Sequence, residues 1–445
     1  MKKITAMILA LALALALCGC GSLDNLKNVE LPPLPDADAK PTETPPEATA
    51  VIDTSASMPE SALPQHVIVS VEKHSEEHYD PQNGDTLILS FSYETPRVYI
   101  EGCQEASNAV NEYIATVDET YYTGNDYGVG GESDEGGMPG GVNGMLEAAT
   151  DNYSYAVENG LTDMALEFTS ARTARVERID SRALSMVYTT YIYTGGVHGS
   201  YFDTGYTFDA ESGEYVTLEK LSGSFEELKK FLADYMIGLY TADKDGYYSE
   251  RVFANMIPDG DVNAAIAALV RDGSWYFGDQ GMVIYSSVYE LGPYAAGIVV
   301  FTIPYSELAG HIDDRWLPAE RTAESGSLTL KAQSDVADGS VEIIDKVTVD
   351  AEGEALCLEA EGTVYDVRLA SVEYSNRFYE TAFLWACSYM SDCVLQLDAV
   401  IPDGMPKLMV SFSDASGSET RLLLTQSGED GSYILVNDSD IEAVG

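Results

Sequence analysis

Basic residues are scarce in this sequence: 24 lysines and arginines stand against 73 aspartates and glutamates, a net charge of −49. Nucleic acid and anionic lipid surfaces are both held by clustered cations, so the folded chain is not built to bind either. An acidic balance of this size favours cationic partners, or serves only to keep the chain soluble and off an anionic envelope. Histidine and cysteine are also rare, at five and six residues. With Cys18 and Cys20 set aside, Cys103, Cys357, Cys387 and Cys393 remain. They are too few for a disulfide scaffold, and no CxxC pair suggests zinc. Cys387 and Cys393 are spaced either to bridge a local hairpin or to sit as buried thiols.

The beginning of the chain reads as an export signal. Lys2 and Lys3 precede an apolar run from Ile4 to Leu17, which is too short for a stable membrane span, and Leu17-Cys18-Gly19-Cys20 follows. A small residue followed at once by cysteine marks a bacterial lipoprotein signal, so Cys20 is the expected lipidation site. Cys18 is the competing choice, but Leu17 stands where a small residue is wanted. The expected location is the outer face of the cell membrane, through a lipid anchor. Gly21 to Gln65 carries eight prolines with Asp, Glu, Thr and Ala and little to bury, the composition of an extended tether.

The organisation beyond the tether is read as three parts, 66–192, 193–318 and 319–445. In the first, VIVSVEK and TLILSFSYETPRVYI have strand composition, with Pro96 suggesting an edge or bulge. Ala106, Val110, Tyr113, Ile114 and Val117 recur at helical spacing, and NGMLEAATDNYSYAVENG reads as a second helix. Between them GNDYGVGGESDEGGMPGGVNG holds nine glycines in 21 positions, a mobile loop without the spacing of a phosphate cradle. In the second part GYTFDAESGEYVTLEKL reads as a hairpin turned by Asp209 and Gly213. Ser224 and Glu227 suggest a capping box on FEELKKFLADYMIGLY, and VNAAIAALVRDG reads as a further helix. From about Glu320, short strands are separated by Gly/Asp/Ser turns at roughly ten-residue intervals, as in a sandwich, with FYETAFLWACSY left as a helix or a broad strand. The expected fold is α+β: a mixed α/β two-part extracellular module of antiparallel sheets with packed helices, followed by an all-β, sandwich-like C-terminal domain.

The chemistry turns on YTGGVHGSYFDTGY, where His198 sits among Gly195, Gly196 and Gly199. A histidine acting as catalytic base needs an oriented nucleophile and a carboxylate, and the chain has no GxSxG element. Ser200 and Asp203 are neighbours in sequence, and such neighbours on a strand-turn-strand rarely converge. His66, His74, His78 and His311 offer no metal spacing either, since HSEEH falls at a strand end rather than on a helix. Neither metal nor cofactor is expected, and His198 reads as a loop residue hydrogen-bonding locally while its glycines supply positive φ. Acids cluster at Asp118-Glu119, at Asp126 to Glu135 and in Asp243-Lys244-Asp245-Gly246, but an EF-hand is incomplete there, because Thr241 and Val252 occupy positions that need acids. Paired carboxylates for glycan cleavage cannot be picked out among so many acids. The 29 tyrosines, many within 188–206 and 285–305, suit either sheet packing or a contact face.

Two motifs, YTGGVHGSYFDTGYTFDAESGEYVTLEKL and WYFGDQGMVIYSSVYELGPYAAGIVVFTIPYSEL, together resemble the extracellular domain of the lysozyme-sensing anti-sigma-V factor, the RsiV type. That domain also occurs ahead of a peptidoglycan deacetylase domain and in lipoproteins of Gram-positive bacteria. The resemblance implies a mixed α/β module in two regions, here about 67–192 and 193–312, without catalysis of its own. It also implies a partner: a cationic protein such as lysozyme, with peptidoglycan as the alternative. No deacetylase motif is present, and a lipoprotein signal stands where sigma-factor control would require a cytoplasmic helix and a membrane span. On this resemblance Tyr193, His198 and Tyr201 are the expected partner-binding residues, with no catalytic set.

Overall fold

The computed structural model describes residues 65–437 except 82–83, 125–139, 163–165, 244–245, 322–325, 337–340 and 376–377. The signal, Cys18, Cys20, nearly all of the tether and most of the glycine-rich insert therefore lie outside the described residues. Two compact units divide the chain, one of 1–58 with 120–144 and the other of 59–119 with 145–445. In the described part of the first, Gly124 meets Gly140 and Gly141 backbone to backbone, so closely that a Cβ on Gly124 would fall 2.3 Å from a Gly140 carbonyl carbon. Everything that follows concerns the second unit.

Its frame is a ten-stranded sheet. In chain order it contains β1 (Val67–Tyr79), β2 (Leu87–Ile100), β3 (Phe168–Ile179), β4 (Ala183–Tyr193) and β5 (Ser200–Asp209). The C-terminal region adds β12 (Thr363–Ser375), β13 (Phe378–Ser391), β15 (Leu408–Ser413), β16 (Glu419–Gln426) and β17 (Tyr433–Asn437). The spatial order is β17-β16-β15-β12-β13-β1-β2-β3-β4-β5. Only β2 and β3 run parallel in it. A parallel pair needs a long crossover, and the β2–β3 connection carries the helices Gln104–Thr123 and Gly141–Glu158. Ala106, Val110, Ile114 and Val117 are buried as their spacing predicts, and Tyr113 stacks on Tyr215 at 4.9 Å.

The C-terminal strands continue this sheet rather than forming a separate one. β13 pairs with β1 through Ile68↔Cys387, Val69↔Ala386 and Ser70↔Trp385, so the sheet runs across both expected boundaries. FYETAFLWACSY is resolved as strand: it lies within β13, which pairs on both sides. Pro96 pairs with Val71 but lies beyond the stretch of β2 matched to β3, where its missing N–H is not needed by that neighbour.

Two smaller sheets cover the long one. β9 (Ser327–Ala332), β10 (Glu342–Thr348), β11 (Glu354–Glu361) and β14 (Cys393–Ala399) form one, in the order β10-β14-β11-β9. Leu330, Leu358, Leu395 and Leu397 from it share a core with Val367, Leu369, Trp385 and Val410 of the long sheet, which makes the C-terminal region a sandwich. β6 (Trp275–Phe277), β7 (Gly281–Tyr285) and β8 (Val300–Pro304) form the other, whose core with the helix Phe225–Ala242 includes Leu228, Leu232, Met236, Phe277, Ile284 and Phe301. The architecture is α+β with several sheets and a β-rich C-terminal region.

Local details depart from the sequence in two places. Ser224 starts the helix without a side-chain cap, because the Ser224 N–H is already donated to Ser222 Oγ at 3.0 Å in the turn before it. The helix over VNAAIAALVRDG stops after Val262–Ala267. Asp272 pulls the chain out of helix by accepting the Leu218 N–H at 2.8 Å and the Trp275 Nε1–H at 3.4 Å. Among the described residues no helix is long and apolar enough to cross a membrane.

Candidate functional site

The loop from β4 to β5 is shaped by glycine for two separate reasons. Gly195 and Gly196 hold φ of 92° and 95°, a region costly for any residue with a side chain. Gly199 is needed for space, since a Cβ there would fall 2.4 Å from the Tyr191 ring. Val197 at the tip is 94% exposed. The Tyr193 hydroxyl donates to Gly196 O at 3.1 Å and closes the loop on itself.

His198 is fully committed by this geometry. Its Nδ1 donates to Gly199 O at 2.8 Å, a carbonyl that can only accept, so Nε2 is left as acceptor toward the Tyr289 hydroxyl at 3.3 Å. The ring stacks on Tyr294, with centroids 3.9 Å apart and planes 16° from parallel. Tyr201 meets Tyr294 edge-on at 5.9 Å, and Tyr289 lies 5.8 Å from Tyr294. Burial raises the Tyr201 phenol above its ordinary value, so it stays a neutral hydrogen-bonding group.

Tyr289 is the strained member of the cluster. Its φ is 66°, and a bulky residue persists there only where its surroundings hold it, at a cost of about 1–3 kcal/mol. The following residue supplies the hold: Glu290 takes Arg271 in two hydrogen bonds of 2.7 and 3.0 Å and accepts the Ser287 N–H at 2.8 Å. Tyr289 is thereby presented with 46% of its surface exposed.

A polar layer beneath the cluster fixes β5 against its neighbours. Arg175 donates to Glu177 at 2.5 Å, to Thr189 Oγ1 at 2.6 Å and to Asp203 at 2.8 Å, and Thr189 donates to Asp203 at 2.6 Å. Gly205 lets β6 approach: its N–H donates to Gly273 O at 3.0 Å, and a Cβ would lie 2.1 Å from Trp275 O. The Tyr285 hydroxyl donates to the same Gly273 O at 2.7 Å.

Of the expected contact residues, His198 and Tyr201 meet in one cluster, whereas Tyr193 is turned back into its own loop. Tyr289 and Tyr294 were not singled out in the sequence. The signal for them was the tyrosine-rich second motif, whose ring partner across the sequence could not be read without the fold. Asp203 does not serve His198, because its carboxylate is taken by Arg175 and Thr189. The other histidines are dispersed: His66 binds Tyr389 O at 2.8 Å, His74 stacks on Tyr93 at 4.5 Å, His78 lies 3.3 Å from Glu76, and His311 stacks on Phe231 at 3.6 Å. Asp243 accepts the Tyr248 N–H at 2.6 Å in a turn, while Lys244, Asp245 and the cluster from Asp126 to Glu135 lie outside the described residues. Asp118 is buried against Arg172 and Thr95. Cys387 and Cys393 are buried free thiols. A surface hollow of about 530 Å³ lies between Arg182, Arg315 and Asp314, but Arg315 is paired with Asp209 and Arg182 caps the carbonyls of Asp314, Leu317 and Pro318.

The fold and site define an α+β protein in which two distant motifs build an aromatic cluster on a terminal sheet strand. Residues 256–306, which carry the Tyr289–Tyr294 side of that cluster, match the model of a family described as a protein of unknown function, DUF3298. A DUF3298 family member from Bacteroides fragilis is similar in structure at 16% identity, with a TM-score of 0.40, over 56% of this chain and 94% of that one. A DUF3298 family protein from Pseudomonas aeruginosa is similar at 13% identity, with a TM-score of 0.34, over 56% of this chain and 97% of that one. No curated protein matches the chain.

Proposed function

We propose that this is a lipid-anchored surface protein of a Gram-positive cell, held through Cys20, that binds a cationic extracellular protein, lysozyme in the sharpest form of the reading. The observation that carries it is the cluster of His198, Tyr201, Tyr289 and Tyr294, in which a strained tyrosine is held out to solvent by a braced neighbour. Rigid, amphipathic rings suit a protein interface, and lysine or arginine stacks well on them. The charge of −49 supports the same partner class through encounter rate and orientation. The resemblance to the RsiV type guides the choice of lysozyme. A second reading, peptidoglycan binding, is favoured by the same exposed tyrosines, which also provide a stacking platform for sugars.

A pull-down separates the two readings. Lysozyme should be retained at about 50 mM salt and released at about 0.5 M, because exposed charges are screened over a few ångströms there. Retention should fall on Tyr289→Ala and on Tyr294→Ala. If lysozyme is not held even at low salt while insoluble peptidoglycan is bound or cut, the cationic-protein reading is wrong.

A further inference from the structure

The backbone of β5 is used differently along its length. It is the terminal strand of the ten-stranded sheet, so one side pairs with β4 and the other faces outward. In its second half the outward groups are taken: Gly205 N–H donates to Gly273 O at 3.0 Å, Thr207 O accepts from Val216 N–H at 2.8 Å, and Asp209 N–H donates to Glu214 O at 2.9 Å. Residues two apart point their backbone groups the same way, and the β4–β5 register shows no shift, so Tyr201 and Asp203 also face outward. Among the described residues neither has a backbone partner on that side. This half is part-exposed where the second half is buried. An unpaired sheet edge is a ready template for another strand, and proteins usually blunt or cover such edges.

We infer that the Tyr201–Asp203 edge is a docking site at which an extended, positively charged segment of a partner protein adds as one further antiparallel or parallel strand. The backbone supplies two donors and two acceptors there, the recognition mode of strand addition. A partner side chain opposite Tyr201 on its face of the sheet meets the Tyr201, Tyr294 and His198 rings, where a lysine or arginine is attracted to the π faces. The excess of 73 acidic over 24 basic residues selects a basic segment over an acidic one. The choice of a cationic partner rests on the function proposed above, whereas the open edge stands on the backbone geometry alone.

The test uses a fluorescent peptide of alternating lysine and valine, and the same peptide N-methylated at every second residue. The modified peptide keeps charge and side chains but loses the N–H groups of one edge. The parent should bind the purified protein saturably, and N-methylation should weaken it by about tenfold or more. Tyr201→Pro, which removes an outward N–H at a position where edge strands tolerate proline, should weaken binding comparably, while Tyr201→Phe should retain it. Equal binding of the two peptides, or equal binding by the Pro and Phe variants, overturns strand addition. Should Tyr201→Pro hold lysozyme as well as the unaltered protein does, the docking edge is wrong and the proposed function survives. Should the parent peptide bind in this mode while lysozyme is never retained, the edge survives and the choice of partner is wrong.

Discussion

The two small sheets cover the same long sheet by different means. The four-stranded sheet meets it through aliphatic side chains, Leu330, Leu358, Leu395 and Leu397 against Val367, Leu369 and Val410. The three-stranded sheet meets it through polar joints: Ser185 Oγ accepts the Phe277 N–H at 3.2 Å, Gly205 donates to Gly273, and Arg368 of β12 grips Asp279 at 2.7 and 3.0 Å while also reaching Glu177 O at 3.1 Å. Aliphatic packing is non-directional and accepts changes of shape, whereas a hydrogen-bonded joint fixes register. The difference locates the function: the rigid, directional joint lies beside the strand that carries the aromatic cluster, and the forgiving joint lies at the far end of the sheet.

The sharpest way to break this comparison is to remove one arginine. Arg178 is 3% exposed, pairs with Asp180 at 2.8 Å, and donates to Tyr305 Oη, Trp316 O and Leu317 O at 3.2, 2.7 and 3.2 Å. Arg178→Ala leaves a carboxylate and two carbonyls without their partner, so a loss of about 3–5 kcal/mol is expected in urea unfolding. Leu358→Met in the aliphatic joint keeps its volume and should cost less than about 1.5 kcal/mol. Similar losses for both would show that the two joints do not differ in kind.

The polar joint should also respond to pH where the aliphatic one does not. Asp366 lies in β12 at φ 48°, beside a register shift, and it contacts Arg321. Burial pushes its carboxyl up to about 6, against the opposing pull of Arg368 and Arg321. A carboxyl raised on folding binds its proton more tightly in the native state. Its contribution to stability is therefore complete below about pH 4 and is lost as pH rises through about 6, amounting to as much as about 3 kcal/mol. Asp366→Asn keeps the uncharged form at every pH. Relative to the unaltered protein it should gain stability between about pH 4 and 7.5, measured by denaturant midpoints, and an unchanged difference across that range would refute the assignment.

How much of this was legible beforehand depended on the range of the interaction. Period-two strands, the helix face of Ala106 to Val117, and the Asp209–Gly213 turn are local, and each was visible in the residues. The sandwich was visible as a rhythm of strands and turns, but its merger into the long sheet was not, because the pairing of β1 with β13 joins positions more than three hundred residues apart and leaves no spacing signal. At the candidate site the glycines and His198 could be read, while Tyr294 and Tyr289 needed the fold to carry them some ninety residues back to the loop. The open half of β5 could not be read at all, since an unpaired edge is a property of the neighbours and not of the strand.

The smallest expected effect tests whether the loop is a surface feature or part of the core. His198→Ala removes the stack on Tyr294 and the acceptor for Tyr289, and should cost only about 0.5–1.5 kcal/mol, because an aromatic pair at a partly exposed site is worth about that much. His198→Phe retains the stack without the hydrogen bonds and should recover most of that loss. A cost for His198→Ala approaching that of Arg178→Ala would place the loop in the rigid joint, and the division between scaffold and contact surface would then fail. A folded His198→Ala protein that lost a glycan-cleaving activity of the parent would make the histidine chemical after all. Binding weakened with the fold intact is the outcome that keeps His198 what its two hydrogen bonds make it, the brace of an aromatic face.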